Sequence, residues 1–176
     1  MVHVYFGDGK GKTTAAVGQG IRASGWGMRV IMVQFQKSTR SGEIEAIKKI
    51  GGCDGIKFKV IRPDKVKGFF WDLTEEDKTR LKEDTGEAVR MICDMVTNDE
   101  CDMLILDEIL GVVKNGTLDD DDVMRILECR SEGQEIILTG REVSERICST
   151  ADYITEMRCV KHPFKRGIKA RKGVEY

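Results

Sequence analysis

The run Val2–Ala16, VHVYFGDGKGKTTAA, brings together the groups that a polyphosphate needs. Gly7, Gly9 and Gly11 can take backbone angles closed to other residues, so that successive amides converge on phosphate oxygens. A helix starting near Lys12 aims its positive dipole end at the same point. Lys12 adds a mobile cation, and the Thr13 hydroxyl suits Mg²⁺. Asp8, Lys10 and Thr14 complete the candidate cradle. The usual phosphate-loop pattern leaves four residues between its first glycine and the Gly-Lys pair. Here three lie between Gly7 and Gly11, and Phe6 stands where the outer glycine belongs, so the loop is a contracted variant.

An acidic pair, Asp107 and Glu108, closes a later apolar run, MLILDE. In a parallel α/β sheet the carboxyl ends of the strands share one edge, which puts this pair near Thr13 and makes Thr13, Asp107 and Glu108 the candidate Mg²⁺ ligands. Either carboxylate can hold the ion, directly or through water, while the other orients a ligand or Lys12. Gln34 and Lys37 follow another apolar run toward that edge and Arg141 ends a third; each is a ligand contact or a solvated strand end. Phe69, Phe70 and Trp71 cluster in a loop, which alone fits a core plug, a protein contact or a ligand platform. Trp26, between two glycines, reads as packing, and His162 as a polar contact rather than a metal ligand. No residue has a context that marks it as a base, so the loop by itself does not name a reaction.

The elements that must position these groups alternate. Strand Val2–Phe6 leads to helix Lys12–Ser24, strand Arg29–Phe35, a helix over Glu43–Ile50 and a strand near Ile56–Ile61. After the aromatic loop Lys65–Trp71, Thr74 caps a helix to about Thr97, with Leu81, Ala88, Ile92 and Met95 on its apolar face. Strand Met103–Leu106 precedes a turn at Asn115-Gly116, and the following aspartates open a helix through Cys129. Strand Gln134–Thr139, a short helix over Val143–Cys148, a strand near Tyr153–Met157 and a basic tail finish the chain. This rhythm predicts a doubly wound, mostly parallel α/β sheet flanked by helices, in one domain over residues 1–176.

Lys+Arg 29 against Asp+Glu 30 leaves a net charge of −1, so no global field recruits nucleic acid or an acidic membrane, and a small-molecule partner is expected. The 6 cysteines form no CxxC pair and mostly sit in apolar surroundings, as small core residues of a cytoplasmic protein. No apolar run approaches membrane-spanning length.

The order and wording of the motifs say more than any one of them. GDGKGKTTAA (Gly7–Ala16), VQFQK (Val33–Lys37), GFFWD (Gly68–Asp72), LDEI followed by KNGTLD, LTGR (Leu138–Arg141), ADYITEM (Ala151–Met157) and KHPFKRGIKARKGVEY resemble the ATP:corrinoid adenosyltransferases across nearly the whole chain. The contracted loop is a trait of that family. The resemblance implies a phosphate-loop, RecA-like fold and transfer of the 5′-deoxyadenosyl group of ATP to Co(I) of a corrinoid, with triphosphate leaving. It makes Gly7, Asp8, Gly9, Lys10, Gly11, Lys12, Thr13, Thr14 and Arg141 the ATP-binding set, and Lys12, Thr13, Glu108, Phe69 and Trp71 the catalytic set. Phe69, Trp71, Gln34 and Lys37 become corrinoid contacts, with the aromatic pair a wedge that excludes the lower cobalt ligand. It further implies Mg²⁺, a homodimer and a flavodoxin-like or reduced-flavin electron donor. Many relatives carry a leading segment that helps cover the site, so closure here is expected to rely on other segments or a partner subunit. A RecA- or helicase-type ATPase and a non-enzymatic, ATP-regulated corrinoid carrier are the alternative readings.

Overall fold

A computed structural model describes residues 1–36, 41–53, 55–63 and 70–175. The expected Lys37 and Phe69 contacts therefore lie outside the described residues. Six strands, β1 (Val2–Phe6), β2 (Val30–Gln34), β3 (Phe58–Ile61), β4 (Met103–Asp107), β5 (Glu135–Thr139) and β6 (Tyr153–Glu156), form one sheet in the order β3-β2-β4-β5-β1-β6. Every pairing is parallel, where the sequence reading expected a mostly parallel sheet.

Alternation along the strands feeds two separate cores. Ile31, Val33, Leu104, Leu106, Ile136 and Leu138 turn to one face, where Ile92, Ile109, Ile126 and Ile147 meet them. These come from α3 (Glu75–Thr97), α4 (Ile109–Lys114), α5 (Asp120–Glu128) and α6 (Glu145–Thr150). Val30, Met32, Met103, Ile105 and Ile137 turn the other way, onto Ala16, Val17 and Ile47 of α1 (Lys12–Gly25) and α2 (Gly42–Ile50). The central strands are buried on both faces, as the run-on apolar stretches require. Leu81, Ala88, Ile92 and Met95 of α3 are all buried, as their spacing predicts.

The caps also follow the sequence. Thr74 accepts from the Asp77 amide at the start of α3, and Asp119 with Asp122 closes a reciprocal capping box on α5. That explains the aspartate run without a metal. Three details differ from the sequence reading. The sequence marks only a turn at Asn115-Gly116 after the acidic pair, yet Ile109–Lys114 forms a short helix, α4, whose Ile109, Leu110 and Val112 are buried; its one glycine and two valines favour helices weakly, and that burial makes up for it. Pro163–Arg166 forms a short 3₁₀ turn, with His162 Nδ1 accepting from the Phe164 amide. Trp26, expected to pack, is the residue that ends α1 and is 88% exposed; Gly27 at φ 83° then makes the turn that leads into β2 at Val30.

Among the cysteines, Cys101 is buried, Cys53 is exposed and the rest are half-buried; all are free. Burial pushes the Cys93 and Cys101 thiols up to about 11. Among the described residues, no helix is long and apolar enough to cross a membrane.

Candidate functional site

The glycine loop leaves β1 at the carboxyl edge and runs directly into α1. Gly11, at φ 119°, caps that helix without a side-chain hydrogen bond, and its first turn holds no acidic residue. The opening amides of α1 have no acceptor within the helix, so they face the space above the loop with an unopposed positive dipole. Gly9, Lys10, Gly11, Lys12, Thr13 and Thr14 line a cavity of about 560 Å³ there, together with Gly42 and Glu43 of α2, Glu108, and Gly173, Val174 and Glu175 of the tail.

Gly7 and Gly9 do a different job from the one their type suggested. The Gly7 amide donates to the Arg141 carbonyl at 3.0 Å and the Gly9 amide to the Met157 carbonyl at 2.6 Å. A Cβ on Gly7 would lie 2.4 Å from the Met157 carbonyl oxygen, and one on Gly9 2.6 Å from it. These two glycines let the segment after β6 press onto the loop, and Asp8 ties the same segment by accepting from the Cys159 amide at 2.9 Å. The amides left to face the cavity belong to the start of α1, not to the first half of the loop.

Lys12 folds back over the loop, donating from Nζ to the carbonyls of Gly7 (2.6 Å) and Gly9 (2.8 Å). Burial draws its ammonium below the usual lysine range; Glu108, Asp8 and Asp107 oppose that shift and Arg141 adds to it. Lys12, Glu108, Asp107, Asp8 and Arg141 therefore share one electrostatic neighbourhood. The expected meeting of loop and acidic strand is present: Thr13 Oγ1 donates to Asp107 Oδ1 at 2.8 Å.

Asp107 is fully buried and receives two further donors. Thr139 Oγ1, at the end of β5, gives to Oδ1 at 2.8 Å, and Gln34 Nε2 gives to Oδ2 at 2.9 Å. Thr139 also accepts the Glu108 amide at 2.9 Å. Because β5 lies between β1 and β4, it is placed to bridge the loop strand and the acidic strand. Glu108 takes a left-handed backbone, φ 62°, as the chain turns from β4 into α4.

Gln34 is buried, with one end of its amide on Asp107 and the other accepting from Arg62 Nε (3.0 Å) and Nη2 (2.7 Å). Its immediate partners are thus protein groups that it orients. Arg62 also donates to Ser41 Oγ at 3.1 Å, and burial lowers its guanidinium below the usual range. Thr139 and Arg62 are the residues that sequence reasoning missed. The placement of each just after a strand's apolar run was the available signal. Trp71 sits in a 3₁₀ turn, Phe70–Asp72, with its side chain 75% exposed, and Lys78 Nζ lies 5.7 Å from the Phe70 ring centre.

Among the described residues no group of three or more His, Cys, Asp or Glu side chains can hold a metal unaided. The hydroxyl–carboxylate pair Thr13–Asp107, with Glu108 beside it, instead fits a Mg²⁺ ion that keeps water and takes phosphate oxygens from its nucleotide.

The whole chain, residues 1–176, matches the family described as ATP:corrinoid adenosyltransferase BtuR/CobO/CobP. It is 37% identical to a corrinoid adenosyltransferase of Escherichia coli, over 100% of this chain and 85% of that protein. Identity to the corrinoid adenosyltransferase CobA of Salmonella typhimurium is 35%, with the same coverage. A corrinoid adenosyltransferase of Pseudomonas aeruginosa is 33% identical over 98% of this chain and 82% of its own length.

Proposed function

We propose, from the premise that this chain belongs to the ATP:corrinoid adenosyltransferase family, that its loop-and-helix cradle grips the triphosphate of ATP while C5′ of the ribose is left open to attack. The chain is a corrinoid adenosyltransferase, which moves the adenosyl group of ATP to a corrinoid. The observation that carries the residue-level reading is the contact of Thr13 with Asp107 beneath a loop whose Lys12 lies among Glu108, Asp107 and Arg141.

In this reading Co(I) of the corrinoid supplies an electron pair to C5′. The cobalt–carbon bond forms as the C5′–oxygen bond breaks, and the triphosphate leaves with that bonding pair. No proton has to be removed from the nucleophile, which accounts for the missing base. Lys12 releases its loop carbonyls and follows the growing negative charge, and the α1 amides and Arg141 share it. Thr13, Asp107 and Glu108 would hold Mg²⁺, which when bound would neutralise phosphate oxygens. Gln34, Arg62 and Thr139 keep Asp107 fixed, so little reorganisation is left for the reaction itself. The corrinoid contacts in this reading are Phe69, Trp71, Gln34 and Lys37, as the family resemblance implies. Loss of the lower cobalt ligand eases reduction of Co(II), which a flavodoxin-like protein or a reduced flavin performs. The chain works as one domain in the cytoplasm, paired as a homodimer.

The test incubates the purified protein with MgATP and chemically reduced cobalamin or cobinamide, following the corrin spectrum and the phosphate products. An adenosylated corrinoid with triphosphate supports the reading, and Lys12→Ala abolishes both. ADP with phosphate points to an ordinary ATPase, and binding without turnover to a carrier; either result overturns the proposal.

A further inference from the structure

The tail folds onto the nucleotide cavity, and its chemistry there is unusual for an anion site. Residues 171–175 close into one turn. The Val174 and Glu175 amides both donate to the Arg171 carbonyl, at 3.2 and 3.0 Å, and Gly173 supplies the bend at φ 78°. Glu175 Oε2 then accepts from the Arg171 amide (2.8 Å) and Nε (3.2 Å), while Oε1 accepts from Nη2 (3.0 Å). This two-pronged carboxylate–guanidinium contact is the geometry with which arginine also grips phosphate. Gly173, Val174 and Glu175 line the same cavity as Gly9–Thr14. Arg171 holds the Glu175 carboxyl below its usual range, and Lys10 in the loop lowers it further across the cavity.

The other acidic residues at this cavity act on cations distant in the chain, Glu43 on Arg62 and Glu108 on Lys12 of the phosphate loop. Glu175 differs because its main cation, Arg171, belongs to the same small turn, with Lys10 of the phosphate loop as a second positive neighbour. Its carboxylate is held by Arg171 at the cavity that Lys10 also lines, and a phosphate oxygen can take the same guanidinium prongs.

We propose that Arg171–Glu175 is an exchangeable strap on the nucleotide cleft: Glu175 is a resident anion, and an incoming triphosphate displaces it, taking Arg171 and Lys10 as its own partners. The proposal rests on the triphosphate reading of the loop. Arg171 thereby becomes a substrate-binding residue, and Glu175 sets how readily the cleft accepts polyphosphate. An exposed ion pair is cheap to exchange, so the strap tunes affinity without blocking entry.

The experiment measures binding of inorganic tripolyphosphate and of MgATP to the full chain by calorimetry, with adenosyl-transfer kinetics alongside. Glu175→Gln should bind tripolyphosphate about three- to fivefold tighter, the span expected when an exposed competing ion pair is removed. Arg171→Ala should raise KM for ATP by about the same factor while kcat changes by less than about twofold, the signature of lost ground-state binding. The double variant should lose the gain of Glu175→Gln. Equal or weaker tripolyphosphate binding by Glu175→Gln overturns the strap, as does an unchanged KM in Arg171→Ala. Lys12→Ala separates the two readings. If it binds tripolyphosphate like the parent, the triphosphate reading fails; if it loses binding while the tail variants behave like the parent, only the strap fails.

Discussion

Replacing Thr139 with valine keeps the volume and removes the hydroxyl that joins β4 to β5 behind the loop. The parent hydroxyl donates to Asp107 Oδ1 and accepts the Glu108 amide, and the side chain is fully buried. A hydrogen bond to a charged group contributes about 1.5–3 kcal/mol, and an amide left without an acceptor costs about 1–3 kcal/mol. Asp107 keeps its contacts from Thr13 and Gln34, so the two losses overlap and the net destabilisation comes to about 2–4 kcal/mol. Thr139→Ser keeps the hydroxyl and gives up one buried methyl, about 1 kcal/mol. For a chain of this size each kcal/mol shifts Tm by about 2–4 °C, which places Thr139→Val about 5–15 °C below the parent and Thr139→Ser about 2–4 °C below it. Differential scanning calorimetry without nucleotide makes the comparison. Adenosyl transfer at limiting Mg²⁺ should fall in the valine variant alone, because Asp107 has lost a fixed orientation. If the two variants melt within a degree or so of each other and turn over alike, the bridge carries no energy and the argument built on it fails.

Two more outcomes follow from the geometry. Trp71→Ala should leave Tm and ATP affinity nearly unchanged, since the ring is mostly exposed, yet lower corrinoid turnover steeply; unaltered kinetics with cobalamin would remove Trp71 from the corrin wedge. Arg29 holds the Asp102 carboxyl below the usual carboxylate range, through Nη2 at 2.6 Å and through its amide at 2.6 Å. A depressed carboxyl contributes stability above its unfolded pKa and loses it as pH falls through the lower folded value. The Tm gap between the parent and Asp102→Asn should therefore be full at neutral pH and shrink below about pH 3.8; a gap that persists undiminished at pH 2 would rule out the ion pair as its source.

The parts of the site that could be read from the sequence were those fixed by local chemistry. The Gly-Lys-Thr run and the acidic end of an apolar strand identify themselves by residue type, and parallel pairing then brings Thr13 to Asp107. Apolar spacing located α3 and its buried face, and Thr74 and Asp119 marked their helix starts. What escaped depended on contacts distant in the chain. Thr139 sits in the LTGR run at the end of an apolar strand, but nothing there gives it a partner, and its value comes from the insertion of β5 between β1 and β4. Gln34 has the type of a ligand contact, yet its two amide ends are held by Asp107 and Arg62. Gly7 and Gly9 suggested free amides, but the approach of Met157 occupies them. The tail, a run of charge with no periodicity, gave no sign that it would return to residues near the opposite end of the chain.

The left-handed backbone at Glu108 has an evolutionary side. An L-residue with a bulky side chain holds that conformation at about 1 kcal/mol, a tension present in every folded copy whether or not substrate is near. Glycine or asparagine would relax it. A population of variants screened only for heat tolerance should drift toward those residues at this position, and each gain would discard the carboxylate beside Lys12. If Glu108 serves the site as proposed, durability and catalysis pull against one another at a single peptide unit, and the glutamate there marks which of the two has prevailed.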